Sequence, residues 1–146
     1  MPHNNALSNP QTPWGVRAIA AFFVFGTVMS GLASLSLALA GGPLEAMWRA
    51  NPAAREALGQ MGGWAVILMG AVCLACAISA LSLWNLWFWG YVLAIGVLTI
   101  NLMGDTVSAV VRSDPITLIG LPIGGALIWY LVRPNVRALF IRGTDA

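Results

Sequence analysis

The chain contains few charged residues and no lysine. Only 8% of its 146 residues are charged, 59% are hydrophobic, and all seven basic residues are arginines. A soluble domain usually carries about 25% charged residues, so this composition cannot cover a water-facing surface, and it favours lipid as the surrounding medium. The net charge of +2 is small and spread along the chain, which excludes the dense basic patch typical of nucleic-acid-binding proteins.

Histidine and cysteine are also scarce. The single histidine, His3, lies in the polar N-terminal tail, so no histidine within the apolar segments is available to hold haem or a metal ion. Cys73 and Cys76 form a C-x-x-C pattern inside an apolar run. Thiols inside such a run would be poorly hydrated and therefore unreactive. Four-helix membrane oxidoreductases that form disulfide bonds need a second cysteine pair to relay electrons, and this chain has only two cysteines. We interpret both cysteines as apolar packing residues and predict no cofactor.

Four long apolar segments predict an all-α membrane protein with a four-helix transmembrane bundle. They are Trp14 to Ala40, Trp64 to Trp84, Trp89 to Val111 and Ile116 to Val132. Residues 18–40 carry no charge and would form about 34 Å of helix, more than the hydrocarbon core of about 30 Å. Residues 38–40, Ala-Leu-Ala, also resemble the cleavage site of a secretory signal peptide, but the apolar run before them is longer than the apolar core of a normal signal peptide. The predicted domains are a flexible tail at 1–13, four spans at 14–133 and a basic tail at 134–146.

Residues 41–63, between the first two spans, form a short amphipathic connector. Pro43 and Pro52 can each begin a short helix, one from Leu44 to Ala50 and one from Ala53 to Met61. Apolar side chains fall on one helical face and charged side chains on the others, so the connector would lie along the membrane interface or cap the bundle. The candidate interface anchors of the chain are Trp48, Arg49, Arg133 and Arg137.

Short connections fix the order of the later spans. Residues 85–88 leave room only for a tight turn, so the second and third spans must be antiparallel neighbours. Pro122 in the fourth span removes a backbone hydrogen bond and predicts a kink or break.

Four spans place both termini on the same side of the membrane. Four arginines border the spans on that side, and three border them on the other side. The rule that positive loops stay inside therefore favours cytoplasmic termini.

Asp105 is the most suggestive ionisable residue. The candidate polar intramembrane site consists of Asn101, Asp105, Ser108 and Arg112, which fall on one stripe of the third helix. An ionisable group in a span usually faces the bundle interior or a partner, so one interpretation is a proton relay or a cation site. The alternative is that Asp105 lies near the far interface and pairs with Arg112, Arg49 or Arg55, which would tie the connector down.

Small residues recur at helical spacing in every span. The stripes are Gly26, Ser30, Ser34 and Ala38; Ala71, Ala75 and Ser79; Gly96, Gly104 and Ser108; and Gly120 with Gly124. Helices in lipid associate through close van der Waals contact, so small residues mark seams between helices. These seams are either internal or faces for a protein partner or a second copy of the chain, and spacing does not separate the two.

The last helix and its exit carry a family resemblance. Leu121-Pro-Ile-Gly-Gly125 and Tyr130-Leu-Val-Arg-Pro-Asn-Val-Arg-Ala-Leu-Phe140 resemble the final helix of small bacterial multi-spanning proteins of unknown function, which carry a Tyr-Leu-x-x-Pro-x-Val-Arg-x-x-Phe exit. The resemblance covers one helix and a tail. It implies a small bacterial inner-membrane protein and brings no catalytic residue with it.

Three functions remain open from the sequence. The first is a non-enzymatic accessory, assembly or scaffold subunit of an inner-membrane complex, since no nucleophile–base pair, phosphate loop or ligand set is found. The second is a small transporter or channel with Asp105 on its polar path. The third is a quinone- or lipid-handling enzyme that uses the connector, for which the sequence places no candidate base.

Overall fold

The computed structural model describes residues 13–39, 41–112 and 117–142, with side chains described for 13–39, 41–107 and 120–141. Every element among them is helical, which confirms the all-α prediction. The elements are α1 (Trp14–Ala38), a 3₁₀ helix (Pro43–Ala50), α2 (Pro52–Gln60), α3 (Gly63–Trp84), α4 (Phe88–Arg112), α5 (Thr117–Val132) and α6 (Pro134–Arg142). The predicted flexible tail lies outside the described residues except for Pro13.

Three of the described helices are long and apolar enough to cross a membrane. They are Trp14–Ala38, Gly63–Trp84 and the part of α4 from Phe88 to Val107, with 25, 22 and 20 residues. The apolar helix Gly120–Val132 within α5 is shorter than the length a span requires. The chain is therefore a helical membrane protein, and by length and composition three of the four predicted spans are confirmed.

The connector folds as the two short helices that its prolines predict. The first is a 3₁₀ helix and begins at Pro43; the second is α2, with Pro52 in its first turn. The side-chain oxygen of Asn51 accepts a hydrogen bond of 3.0 Å from the Ala54 amide, which caps α2. Because proline has no amide hydrogen to leave unsatisfied, it suits the first position of a helix.

A tight turn joins α3 to α4, as predicted, and makes them antiparallel neighbours. The Trp87 amide donates a 2.9 Å hydrogen bond to the Ser82 carbonyl, and Leu86 adopts a φ of 57°. On the α4 side of the turn, Gly90 packs against Ser82 so closely that a Cβ atom on Gly90 would overlap the serine side chain. Glycine at this position therefore allows the two helices to approach each other.

The helices α4 and α5 are antiparallel along their whole contact. The Tyr91 hydroxyl donates a 3.2 Å hydrogen bond to the Leu131 carbonyl, at the start of α4 and the end of α5. Farther along α4, Leu102 packs on Gly124, and Asp105 packs on Gly120. The helix α5 continues through Pro122, so the chain does not break there, and a kink at Pro122 stays a prediction.

The apolar core lies at one end of the molecule, where α1 and α4 begin and α3 and α5 end. The largest fully buried side chains of this core are Phe23, Phe140, Ile19, Leu83, Leu131 and Val16. The helix α6 folds back onto this end, where the ring of its Phe140 stacks on Tyr91 with 4.9 Å between centroids. Part of the predicted basic tail therefore belongs to the core.

Candidate functional site

A cleft opens between α1, α4 and α5, on the connector side of a contact that joins α1 to α5. In that contact Gly15 lies against the hydroxyl end of the Tyr130 ring. Towards the connector the two helices stand apart around a cavity of about 250 Å³. We call this cavity the Asp105 cleft; its lining is Phe22 of α1, Leu98, Asn101, Leu102 and Asp105 of α4, and Gly120, Ile123 and Gly124 of α5.

The Asp105 carboxylate lies against the backbone of α5. A Cβ atom on Gly120 would be 2.7 Å from Asp105 Oδ2, so a larger residue at position 120 would push the carboxylate away from this position. Among the residues with described side chains, no arginine lies within ion-pair distance of Asp105, since the ion pair found there joins Arg55 to Glu45. The expected pairing of Asp105 with Arg49 or Arg55 is therefore wrong, while the side chains of Ser108 and Arg112 lie outside the described residues.

Two hydroxyl groups on α4 are satisfied by their own helix, and this sets Asp105 and Asn101 of the same helix apart. Thr99 donates to the Ile95 carbonyl at 2.8 Å, and Thr106 donates to the Leu102 carbonyl at 2.7 Å. Such a bond to a carbonyl of the preceding turn satisfies the hydroxyl, so the side chain can face lipid without a partner on another helix. A carboxylate cannot do this, because it has no hydrogen to donate to a carbonyl. Asn101 is exposed one turn before Asp105 on the same helix face.

The cleft therefore combines apolar walls with one carboxylate and one amide. An amide and a carboxylate on neighbouring turns can bind a cation, or a basic or hydrogen-bond-donating side chain of another helix. The sequence placed both residues on one helix face. It did not reveal that this face meets the glycines of α5, because that contact depends on how two distant segments pair.

Some of the small-residue stripes pack against another described helix, and others do not. On the seam between α1 and α3, Cβ atoms on Gly26 and Gly31 would lie 3.4 and 3.3 Å from the sulfur atoms of Cys76 and Cys73, so this seam is internal. Cys73 also donates a weak 3.4 Å hydrogen bond to the Thr27 carbonyl. On α4, Cβ atoms on Gly96 and Gly104 would meet no atom within 4 Å. Gly96 and Gly104 therefore face away from the described helices, while the side chain of Ser108, the third member of this stripe, lies outside the described residues.

The predicted interface anchors take different positions. Trp48 is buried, and its indole Nε1 donates a 2.9 Å hydrogen bond to Ser36 Oγ, which ties the connector to α1. Arg49 is exposed on the connector, and Arg137 is exposed on α6. The Arg133 guanidinium lies 3.9 Å from the centre of the Trp129 ring. The anchoring of these side chains at a membrane surface stays a prediction.

Sequence reasoning missed an ion pair within the connector. Arg55 Nε donates to Glu45 Oε1 at 2.9 Å, while Glu45 Oε2 is buried without a hydrogen-bond partner among the described residues. The two residues lie ten positions apart on different short helices, a separation that no helical spacing predicts. The Arg55 guanidinium also lies 5.9 Å from the centre of the Trp48 ring, so one cation joins both helices of the connector.

Fold and site together define a helical membrane protein with a lateral cleft that carries a carboxylate. The chain matches no protein-family model, and comparisons with curated proteins and with solved structures find no significant match.

Proposed function

We propose that the protein is a non-enzymatic accessory, assembly or scaffold subunit of a larger membrane complex. The observation that carries this proposal is the Asp105 cleft, whose carboxylate has no partner among the described side chains. A transmembrane helix of another protein, carrying an arginine, a lysine or a hydrogen-bond donor, would satisfy the carboxylate and cover the apolar walls. Helices associate in lipid through such close packing and polar contacts.

The outward face of α4 supports the same proposal. Gly96 and Gly104 leave open space on this face, and Ile100 and Met103 beside them are 71% and 64% exposed. Small residues let another helix backbone approach closely, and the flanking apolar side chains would pack around it. This face and the Asp105 cleft lie on adjacent sides of α4, so one partner could contact both.

We also propose that α5 forms a fourth crossing, with both termini cytoplasmic in a bacterial inner membrane. The antiparallel packing of α5 on α4 supports the fourth crossing, although its 16 residues give only about 24 Å of helix. A short span is accommodated by local thinning of the bilayer at modest cost. The arginine distribution supports the orientation. The resemblance of the Tyr130 to Phe140 exit supports the bacterial membrane.

Purification in mild detergent from native membranes tests the accessory role. We expect a partner at fixed stoichiometry with the wild-type chain, and at least a tenfold loss of that partner with Asp105→Ala or Gly104→Leu. Gly63→Leu is the matched control, because Gly63 is also in an open helical position but lies at the start of α3, away from the cleft. A monodisperse monomer without partner, or a partner retained by both variants, would contradict the proposal.

A second candidate is a small transporter or channel, favoured by the polar pair in the cleft. Asp105 and Asn101 are the polar side chains that line it, and a carboxylate in an apolar path selects cations. Proton and Na⁺ flux into liposomes should then fall to background with Asp105→Asn, which keeps the shape and removes the charge. Equal flux in wild type and variant, or none in either, would eliminate this candidate.

A further inference from the structure

Three exposed arginines lie at the end of the bundle where α6 folds back. Arg17 is in the first turn of α1, Arg133 is at the bend between α5 and α6, and Arg137 is in the first turn of α6. We call this region the arginine end. The carboxylates of the described residues lie elsewhere, since both glutamates belong to the connector and Asp105 lies in the second half of α4. Among the described side chains, the positive charge of the arginine end is therefore not balanced.

Two of these guanidinium groups lie over tryptophan rings. The Arg133 guanidinium is 3.9 Å from the centre of the Trp129 ring, and the Arg17 guanidinium is 5.4 Å from the centre of the Trp84 ring. Both rings are more than half exposed. A guanidinium that stacks on a ring uses its flat face, so the N–H groups at its edge remain available to an anion.

Exposed tryptophans also mark the depth of this end in the membrane. Trp14, Trp87 and Trp89 are exposed here together with Trp84 and Trp129. Indole rings concentrate at the level of the lipid headgroups, because they are apolar with one polar N–H group. The guanidinium groups that lie over two of these rings are therefore expected at the depth of the lipid phosphates.

Arg133 and Arg137 are placed to share one anion. They lie one helical turn apart, because the Arg137 amide donates a 3.0 Å hydrogen bond to the Arg133 carbonyl. Neither side chain has an ion-pair partner among the described residues. Arginines at this spacing can both donate to the oxygens of a single phosphate. Val132 and Ile141 are exposed apolar side chains on either side of this pair, so they can contact the acyl chains of a lipid.

We propose that the arginine end binds a phospholipid whose headgroup carries a net negative charge, of which phosphatidylglycerol is the simplest. Its phosphate accepts hydrogen bonds from Arg133 and Arg137, and Arg17 adds positive charge at the same end. Selectivity follows from the lack of a described carboxylate there. The ammonium group of a choline or ethanolamine headgroup would find no anionic partner and would be repelled by the arginines, whereas a glycerol headgroup carries no positive charge.

Competition between two lipids for the delipidated full-length protein tests the proposal. Phosphatidylglycerol and phosphatidylcholine with the same acyl chains are added at equal concentration, and native mass spectrometry counts the copies of each lipid that stay bound. We expect at least a tenfold excess of phosphatidylglycerol in the first bound lipid, because each arginine near an anionic headgroup changes the affinity about fivefold. Equal binding of the two lipids would overturn the proposal.

Matched glutamine variants test whether the α6 arginines set this preference. Arg133→Gln and Arg137→Gln keep a polar side chain and should each lower the excess about fivefold. Arg49→Gln is the matched control, because Arg49 is also exposed but lies on the connector. Ile141→Glu places a carboxylate one turn from Arg137 and should lower the excess while all arginines remain. An excess that the α6 variants leave unchanged, or that Arg49→Gln lowers equally, would overturn the assignment.

A headgroup without acyl chains separates a lipid from a soluble anion. Glycerophosphoglycerol should not displace bound phosphatidylglycerol at concentrations where the tailed lipid does, because it lacks the chains that contact Val132 and Ile141. Full displacement by the soluble compound would show that a free phosphate ester suffices, and it would overturn the assignment to a lipid. None of these variants touches the Asp105 cleft, so the outcomes are independent of the proposed accessory function.

Discussion

The ring of Tyr130 occupies the space that a side chain on Gly15 would need. This contact joins the beginning of α1 to the end of α5, two segments more than a hundred positions apart in the chain. It closes the bundle at the end where α6 folds back, while α1 and α5 stand apart farther along, around the Asp105 cleft. A single glycine therefore contributes to the shape of the candidate site.

Replacing Gly15 by alanine should destabilise the protein. The added methyl group would overlap the hydroxyl end of the half-buried Tyr130 ring, which would have to shift, and this should cost about 1 kcal/mol in the free energy of unfolding. Unfolding in mixed detergent micelles, followed by circular dichroism, measures the change. Gly96→Ala is the matched control, because its Cβ atom meets open space and alanine is the better helix former. Equal stability of the two variants would contradict the packing.

The seam between α3 and α4 can be tested by exchanging its two small residues. Gly90→Ala alone should destabilise by more than Gly15→Ala, because its Cβ atom would overlap the Cβ atom of Ser82, which cannot move without the backbone. Adding Ser82→Gly removes the obstructing side chain and should recover part of the lost free energy of unfolding, because the Cα atom of residue 82 still lies 3.0 Å from the added Cβ atom. If the double variant instead lost the sum of the free energies of unfolding lost by the two single variants, the two residues would not contact each other.

Tyr91→Phe should remove one hydrogen bond and leave the packing of the ring. The lost bond is the 3.2 Å contact from the hydroxyl to the Leu131 carbonyl, and its removal should cost about 0.5–1.5 kcal/mol in stability. Thr99→Val is the control, since the Thr99 hydroxyl bonds only to its own helix and is exposed. If Thr99→Val lowers the free energy of unfolding as much as Tyr91→Phe does, the hydrogen bond between α4 and α5 is not the source of the lost stability.

Trp48→Phe should loosen the connector without unfolding the bundle. The variant loses the 2.9 Å hydrogen bond from the indole to Ser36 Oγ. Proteolysis after Arg49 or Arg55 should become several times faster, because local opening of the connector costs less. Ser36→Ala should give a similar increase, and the double variant little more than either single change. Trp87→Phe, at a residue 63% exposed, should leave the rate unchanged.

Cysteine accessibility distinguishes three spans from four. In a chain carrying Cys73→Ala and Cys76→Ala, single cysteines replace Ala53 in the connector, Asn85 in the α3–α4 turn or Arg137 in α6. A membrane-impermeant maleimide should label positions 85 and 137 from one side and position 53 from the other. If position 137 were labelled from the same side as position 53, α5 would not cross the membrane.

Much of the fold could be predicted from local sequence. The helix bounds of the first three spans, the two short helices of the connector and the tight turn at residues 85–87 follow from hydropathy, length and proline positions. Each of these signals is carried by residues close together in the chain. At Pro122 the sequence left a kink and a break open, and α5 continues through the proline. Neighbouring helices in a bundle can support a span whose own backbone lacks one hydrogen bond.

The candidate site was only half predictable. The spacing of Asn101 and Asp105 placed them on one face of α4, but nothing in that spacing revealed that the face meets Gly120 and Gly124 across a cleft. The expected pairing of Asp105 with arginines of the connector was wrong for Arg49 and Arg55. The reason is that Arg55 lies nearer to Glu45, a proximity set by the bend between two short helices.

The sequence by itself determined that these segments are helical and that lipid surrounds them, because both properties add up residue by residue along the chain. Only the tertiary structure decided which helix faces meet, where the bundle closes and which charges remain without a partner. Those outcomes depend on contacts between distant segments, such as Gly15 with Tyr130 and Asp105 with Gly120, and a contact of this kind is a property of the pair and not of either residue alone.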